Sequence, residues 1–191
     1  YLNDGNRVTI QKDMSGNVSI QEGVDVIKLY RILAKNTLTI QSDVTNGVFT
    51  PKYYRLCNVP KVGVLVPNAG ISNVGTYTQS NITLTDVESS YRWNFDGETN
   101  ISFYYPENLQ ISKSNSIENW KERESNVWNN GVKTFTVAAD KASYIEIHGD
   151  YIANSGKITA NVSYTVHFGD FSPSGSIDNF NVIRNHSYIY Q

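Results

Sequence analysis

The sequence predicts a mainly β protein of two tandem antiparallel β-sandwich domains, with one short helix in the second, and three observations carry that reading. From Ile158 to Phe168 the residues Ile158, Ala160, Val162, Tyr164, Val166 and Phe168 alternate with Thr159, Asn161, Ser163, Thr165 and His167, the period of a strand with one solvated face. Composition agrees: 13 Tyr, 7 Phe and 3 Trp stand beside 22 Asn, 19 Ser and 14 Thr, with only 18% charged residues, whereas long helices would call for more Ala, Leu, Glu and Lys. No helical pattern alternates with the successive strand patterns, which argues against a parallel α/β sheet.

Residues 1–23 are polar, and turn signals at Asp4-Gly5-Asn6, Ser15-Gly16-Asn17 and Glu22-Gly23 frame extended pieces at 7–11 and 17–21, the pattern of an edge hairpin. Residues 24–40 are strand-like, with Ile32, Ala34, Leu38 and Ile40 on one parity. Two more strands are expected at 53–58 and 62–66, divided by a corner at Pro60 and closed by Pro67-Asn68-Ala69-Gly70. Between residues 71 and 97 the composition turns to Ser, Thr, Asn and Gly, which predicts a boundary near residue 95 and domains at 1–95 and 96–191.

The second domain opens with a strand at 100–105 and continues into the sole helix candidate, at 115–131. There Asn115 can cap a first turn with Glu118 at the third helical position, Ile117, Trp120, Glu124, Val127 and Trp128 share a face, and Gly131 stands where a left-handed stop is wanted. Four strands follow, at 132–138, 144–148, 158–168 and 182–190. The last runs to Gln191 without a stop signal, so the natural polypeptide is expected to continue.

A net charge of −2, from 16 basic and 18 acidic residues without long runs, offers no electrostatic handle for nucleic acid or an acidic membrane. Cys57 is the one cysteine, which rules out an internal disulfide, and it reads as a small buried apolar residue. No segment approaches the ~20 apolar residues of a membrane span. His148, His167 and His186 are evenly spaced, yet no carboxylate or cysteine accompanies them at ligand spacing, and they read as solvated surface histidines. Nucleophile and phosphate-binding motifs are missing. Glu122 and Glu124 point to different sides of the expected helix, and Glu146 shares with Tyr144 and His148 a strand face expected to be solvated, so no carboxylate pair for hydrolysis emerges. The aromatics Tyr53-Tyr54, Tyr91-Trp93-Phe95 and Tyr104-Tyr105 are candidates for a sugar platform, with core packing as the alternative. Five Asn-x-Ser/Thr sequons follow from the Asn- and Ser-rich composition.

Several separated pieces match one pattern. They are Tyr30 to Lys35, Cys57 to Pro60, Phe103 to Asn108, Ala142 to Gly149, Tyr164 to Asp170 and Phe180 to Tyr188. In that order, and over most of residues 25–191, the chain resembles the fimbrillin-like proteins of Bacteroidales, the type V pilins and their minor tip or anchor relatives. The resemblance implies two transthyretin-like β-sandwich domains, the first lacking its early strands and the second its last. It implies export as a lipoprotein precursor to the outer-membrane surface, no enzymatic activity and no cofactor. In that family a protease cutting after Arg removes an N-terminal strand, and a terminal strand from the next subunit fills the groove. The implied partners are other fimbrial subunits, engaged by strand exchange, and glycan or protein ligands on host or bacterial surfaces. The chain departs from the pattern in lacking the lipobox cysteine and in stopping at Gln191, so its 191-residue form is expected to be compact but deficient in assembly.

The matched positions are expected to be scaffold. Ala34 is a small core residue beside the solvent-facing Lys35, Pro60 fixes a corner between strands, and Arg31 and Asn58 belong to the same scaffold set. In Tyr105-Pro106-Glu107-Asn108 the proline ends pairing and the two polar residues satisfy turn amides. Tyr144, Gly149, Tyr164, Gly169, Asp170, Asn185 and Tyr188 complete the set, and Arg184 is expected to make a charge-assisted contact with a carboxylate, Glu107 first, or with loop carbonyls. A standalone surface glycan-binding sandwich is the alternative reading.

Overall fold

A computed structural model describes residues 10–16, 18–20, 31–41, 46–61, 93–95, 100–114, 117–172 and 176–191. Strands β1 (Ile10–Lys12) and β2 (Val18–Ile20) form the expected antiparallel hairpin. Its turn is held by Gly16 N–H donating to the Asp13 carbonyl at 3.0 Å and Ser15 N–H donating to Asp13 Oδ1 at 2.9 Å. The larger strands are β3 (Leu33–Thr39), β4 (Gly47–Cys57), β5 (Trp93–Asn94), β6 (Asn100–Pro106), β9 (Tyr144–Ala153), β10 (Ile158–His167) and β11 (Ser187–Tyr190). A short hairpin, β7 (Asn126–Asn129) with β8 (Val132–Phe135), and one helical turn, α1 (Trp120–Arg123), lie between β6 and β9 in sequence.

Two sheets carry the architecture, one ordered β10-β9-β4-β5 and the other β11-β3-β6. Alternation in β3 places Ala34, Asn36 and Leu38 inward, opposite Tyr105, Phe103 and Ile101 of β6. Ala34, Leu38, Ile101 and Tyr105 share one buried cluster with Phe49 of β4, Ile145 and Ile147 of β9, and Phe168, Val182, Tyr188 and Tyr190 from the C-terminal segment, and the partly buried Phe103 packs against it. The result is a mainly β, sandwich-like packing of two sheets on a common apolar layer.

The division expected near residue 95 does not separate the described strands. From before it, β3 pairs with β6 and β11, and β4 pairs with β9, so both sheets and the core cross the boundary. The compositional shift that placed the boundary lies mostly outside the described residues, as do the strand expected at 62–66 and the early part of the one at 24–40. The all-antiparallel expectation also needs correction, because β11 runs parallel to β3. No hairpin joins these two strands; most of the chain separates them, and a long connection leaves direction unconstrained.

Pro51 lies inside β4, a strand paired on both sides. A proline there has no N–H for the ladder, and the register shifts between Pro51 and Tyr53 to absorb it. Opposite Pro51 is Gly149, where an added Cβ would stand 2.2 Å from the Thr50 carbonyl oxygen. Glycine is required there by close backbone approach.

The expected helix at 115–131 is replaced by a single turn and a hairpin. The cap is Asn119, whose Oδ1 accepts from Glu122 N–H at 3.1 Å, and Glu122 Oε2 returns to accept from Glu118 N–H at 2.8 Å. Asn115 lies outside the described residues. Farther on, Asn130 and Gly131 have φ of 50° and 80° and close a two-residue loop between Asn129 and Val132. An Asn-Gly pair with both residues left-handed matches the twist of a tight hairpin, and here it outweighs the helical spacing of Val127 and Trp128. Both side chains are exposed on β7.

Two polar residues expected in solvent are buried. β10 carries a bulge between Thr159 and Val162, with Asn161 at φ 59°, and its far end is covered on both faces. Phe168 joins the main cluster, while the other side of the strand meets a second cluster of Cys57, Phe135, Val137, Ala138, Ala142, Tyr144 and Phe180. His167 is consequently fully buried, with its ring edge-on to Phe135 and Phe180 at 4.4 and 5.5 Å. Glu124 closes around it, Oε1 accepting from His167 N–H at 3.0 Å and Oε2 lying 2.5 Å from Nδ1. Glu146 is buried as well, ion-paired with Arg55 and within 3.4 Å of both Lys133 Nζ and His148 Nε2. Burial acts to raise its carboxyl pKa, but the Arg55 hydrogen bond and the Lys133 charge outweigh that and hold it low. For His167, burial dominates over the contact with Glu124 and lowers the imidazole pKa.

Gly149→Ala should destabilise the fold by about 1–3 kcal/mol through overpacking between β4 and β9; an unchanged urea midpoint would contradict the close approach. Both Glu146 and His167 have folded pKa values below their ordinary ones, so the unfolded chain takes up more protons as pH falls, and stability is lost below 6.5 for His167 and below 4.5 for Glu146. Urea midpoints should decline from pH 7 to 5.5 in the native chain and decline less in His167→Gln. Equal slopes in the two proteins would remove His167 from the account.

Candidate functional site

The matched sequence positions converge on a buried polar junction where β4, the loop before β9 and the segment after β6 meet. Asn58 ends β4 in the left-handed region, φ 54°, and its Nδ2 donates to the carbonyls of Asp140 at 2.9 Å and Ala142 at 3.2 Å. Asn108, fully buried, donates from Nδ2 to the Lys141 carbonyl at 2.9 Å, Ser143 Oγ at 2.7 Å and the Asn58 carbonyl at 3.3 Å. Its Oδ1 accepts from Gln110 Nε2 at 2.8 Å, and its backbone exchanges two hydrogen bonds with Val182, at 2.9 and 2.8 Å. Asn and Gln amides suit such a place because each offers donors and an acceptor without charge. Pro60 is buried beside this corner.

Glu107, one residue away, forms the expected pair with Arg184, Oε1 to Nη2 at 3.1 Å, and its Oε2 accepts from Arg184 N–H at 3.3 Å. Asn185 turns the chain at φ 62°, and Tyr188 Oη accepts from Ile183 N–H at 2.9 Å, its phenol pushed up to about 12 by burial. Gly169 has φ 141°, and a Cβ there would meet the Asn179 carbonyl oxygen at 2.1 Å. Asp170 Oδ1 accepts from Ser172 Oγ at 2.8 Å, Tyr164 stands edge-on to Phe49 at 5.0 Å, and Ala34, Tyr105 and Tyr144 are core. Pro106 ends β6. Arg31, Lys35 and Asn185 are not part of this junction and lie together beside Tyr104, on the far side of the three-stranded sheet.

A second feature opens between the sheets. β10 and β11 are edge strands of their respective sheets among the described residues. Next to them runs an apolar groove of about 480 Å³ whose walls include Leu38, Ile40, Ile147, Val166, Phe171 and Tyr190, with Trp120 and Glu124 at its margin. One end is fixed by Arg123. Its buried guanidinium donates to the carbonyls of Ile177 at 2.5 Å, Asn179 at 3.1 Å and Phe168 at 3.2 Å, and stacks between Phe171 and Phe180. Burial lowers its pKa to about 10, which still leaves a cation at neutral pH. Nε lies 3.5 Å from Glu124 Oε1, so Arg123 and His167 share one carboxylate.

Register determines what β11 presents outward. Lys35 N–H bonds the His186 carbonyl, and with Ser187 opposite Lys35 in a parallel pair the main-chain groups of Ser187 and Ile189 point away from β3. The Ile189 side chain is 72% exposed.

The expected aromatic platforms dissolve in part. Tyr53 stacks on His148 at 4.6 Å and Tyr54 on Trp93 at 5.5 Å, Tyr105 is core, and Tyr91 lies outside the described residues. Tyr104 remains exposed. Cys57 is buried as expected, and burial pushes its thiol up to about 11, away from nucleophilic use. Among the described residues no group of three His, Cys, Asp or Glu is placed to hold a metal. Sequence reading missed Arg123, Glu124, His167 and Gln110; only the Asn-Gly pair, by ending the helix early and freeing Glu124 to reach β10, signalled part of that arrangement.

The model of a domain of unknown function, DUF4906, matches residues 103–191, from within β6 through β11 and so across the polar junction and the edge strand. No curated protein and no solved structure matches the chain.

Proposed function

We propose that this chain is a non-catalytic structural and adhesion subunit of a bacterial surface fimbria that joins its neighbours by β-strand addition. The observation that carries the reading is the outer edge of β11, unpaired among the described residues, beside an apolar groove between the two sheets. An edge of this kind offers main-chain donors and acceptors for affinity, and the apolar side chains of the adjacent groove, such as Val166 and Phe171, offer contacts for alternate side chains of an incoming strand. The polar junction is compatible with the same reading: its buried, mutually hydrogen-bonded amides give a rigid scaffold. The family resemblance supplies the remaining terms, a transthyretin-like sandwich carried to the outer-membrane surface and completed by neighbouring subunits.

The test is at Ile189. Proline there removes an outward-pointing N–H and leaves the β11–β3 bonds intact, because those use the main-chain groups of the neighbouring residues. Ile189→Pro should keep its circular dichroism and melt within a few degrees of the native chain, yet enter fibres or cross-link to partner subunits at least tenfold less in cells that produce the whole assembly. Equal incorporation of the variant, or a native chain that never cross-links to another subunit, would overturn the reading.

A further inference from the structure

The outer face of the three-stranded sheet has a different chemistry from the edge. Ser187, Lys35 and Tyr104 stand in register across β11, β3 and β6, and with Arg31, Asn185 and His186 they line a groove of about 380 Å³. We propose that this groove binds an acidic carbohydrate, a sugar chain bearing carboxylate or sulfate groups. The proposal gives the adhesion reading a ligand and rests on that reading only for its biological meaning.

Charge selects the anion. Arg31 and Lys35 are two cations on a groove that no described carboxylate lines, and neither has a charged partner among the described residues. A guanidinium and an ammonium at one site suit a carboxylate or sulfate, the first by a paired fork and the second as a point charge. The sugar is selected by the rest. Tyr104 is 57% exposed and lines the groove, and an exposed phenol ring is suited to packing on the C–H side of a pyranose. His186 lies 2.9 Å from the Arg184 carbonyl through Nδ1; a carbonyl only accepts, so Nδ1 donates there and Nε2 is the ring's remaining polar atom for a ligand hydroxyl. Asn185 and Ser187 add short hydrogen-bonding side chains on the same wall.

Other acidic ligands fit less well. The chain's net charge of −2 and its short cationic patch do not make the extended basic surface that tracks a nucleic-acid backbone. An acidic peptide would use the cations but not the open tyrosine face. The groove's volume falls at the low end of the ~300–1,000 Å³ typical of small-ligand sites, a scale suited to a short stretch of sugar rings.

The test uses the purified monomeric chain, which separates its outcome from that of strand addition. Calorimetric titration with oligogalacturonate, which carries carboxylates, and with heparin-derived oligosaccharides, which add sulfates, should show saturable binding to at least one, weakened by added salt. Neutral dextran should not bind. Tyr104→Ala and the double variant Arg31→Gln/Lys35→Gln should each weaken binding at least tenfold, with circular dichroism unchanged because these positions are on the surface. Absence of binding to both acidic glycans would overturn the proposal, as would binding indifferent to these substitutions. Poly-L-glutamate binding as tightly as the glycans, with Tyr104→Ala without effect, would replace it with a peptide site.

Discussion

One buried amide, that of Asn108, organises the described part of this molecule. Its Nδ2 reaches the end of β4 and the loop that starts β9, its backbone pairs with Val182 ahead of β11, and it stands two residues beyond β6. Four segments distant in sequence therefore meet at a group with no exposure to water. Buried acceptors left without a donor cost about 1–3 kcal/mol each, so the contacts act as a set and specify one relative placement of the two sheets. The apolar layer contributes most of the driving force, and the amide selects which packing of that layer is reached.

Function in the proposed sense depends on this rigidity. With the interior fixed, two unlike surfaces among the described residues suit the partners proposed above. The β11 edge presents main-chain groups and an apolar wall, suited to another strand, whereas the outer sheet face presents cations and an open phenol ring, suited to a small acidic ligand. The Arg123–Glu124–His167 cluster braces the chain between β10 and β11, because Arg123 collects the carbonyls of Phe168, Ile177 and Asn179 from the intervening loop. It thereby shapes the groove without meeting a partner directly.

Much of the strand content was legible in the sequence because alternation and turn residues are local signals. The hairpin at 10–20, β6, and the inward Ala34 and Leu38 of β3 were read from them, and the Arg184–Glu107 pair from charge and strand parity, whereas Ile32 of the same parity is exposed and the polar Asn36 takes a buried place. What was not legible was non-local. Parity assigned His167 and Glu146 to solvent, since a single strand does not reveal a second cluster packing on its other face. The helix at 115–131 was misread because Val127 and Trp128 have helical spacing, while a two-residue Asn-Gly loop decides the matter. The boundary near 95 came from composition, and strand pairing between β3 and β6 carries no compositional mark.

If Asn108 pins a single cooperative sandwich, then native-state hydrogen exchange in the intact chain and in Asn108→Ala is the most direct examination of it. Amides of β3, β4, β6 and β9 should open through one global event in the native chain, and all should lose the same ~2–4 kcal/mol of protection in the variant. Loss confined to β6 and the loop before β9, or a separate opening of β3 and β4, would show that the strands on the two sides of residue 95 fold as independent units.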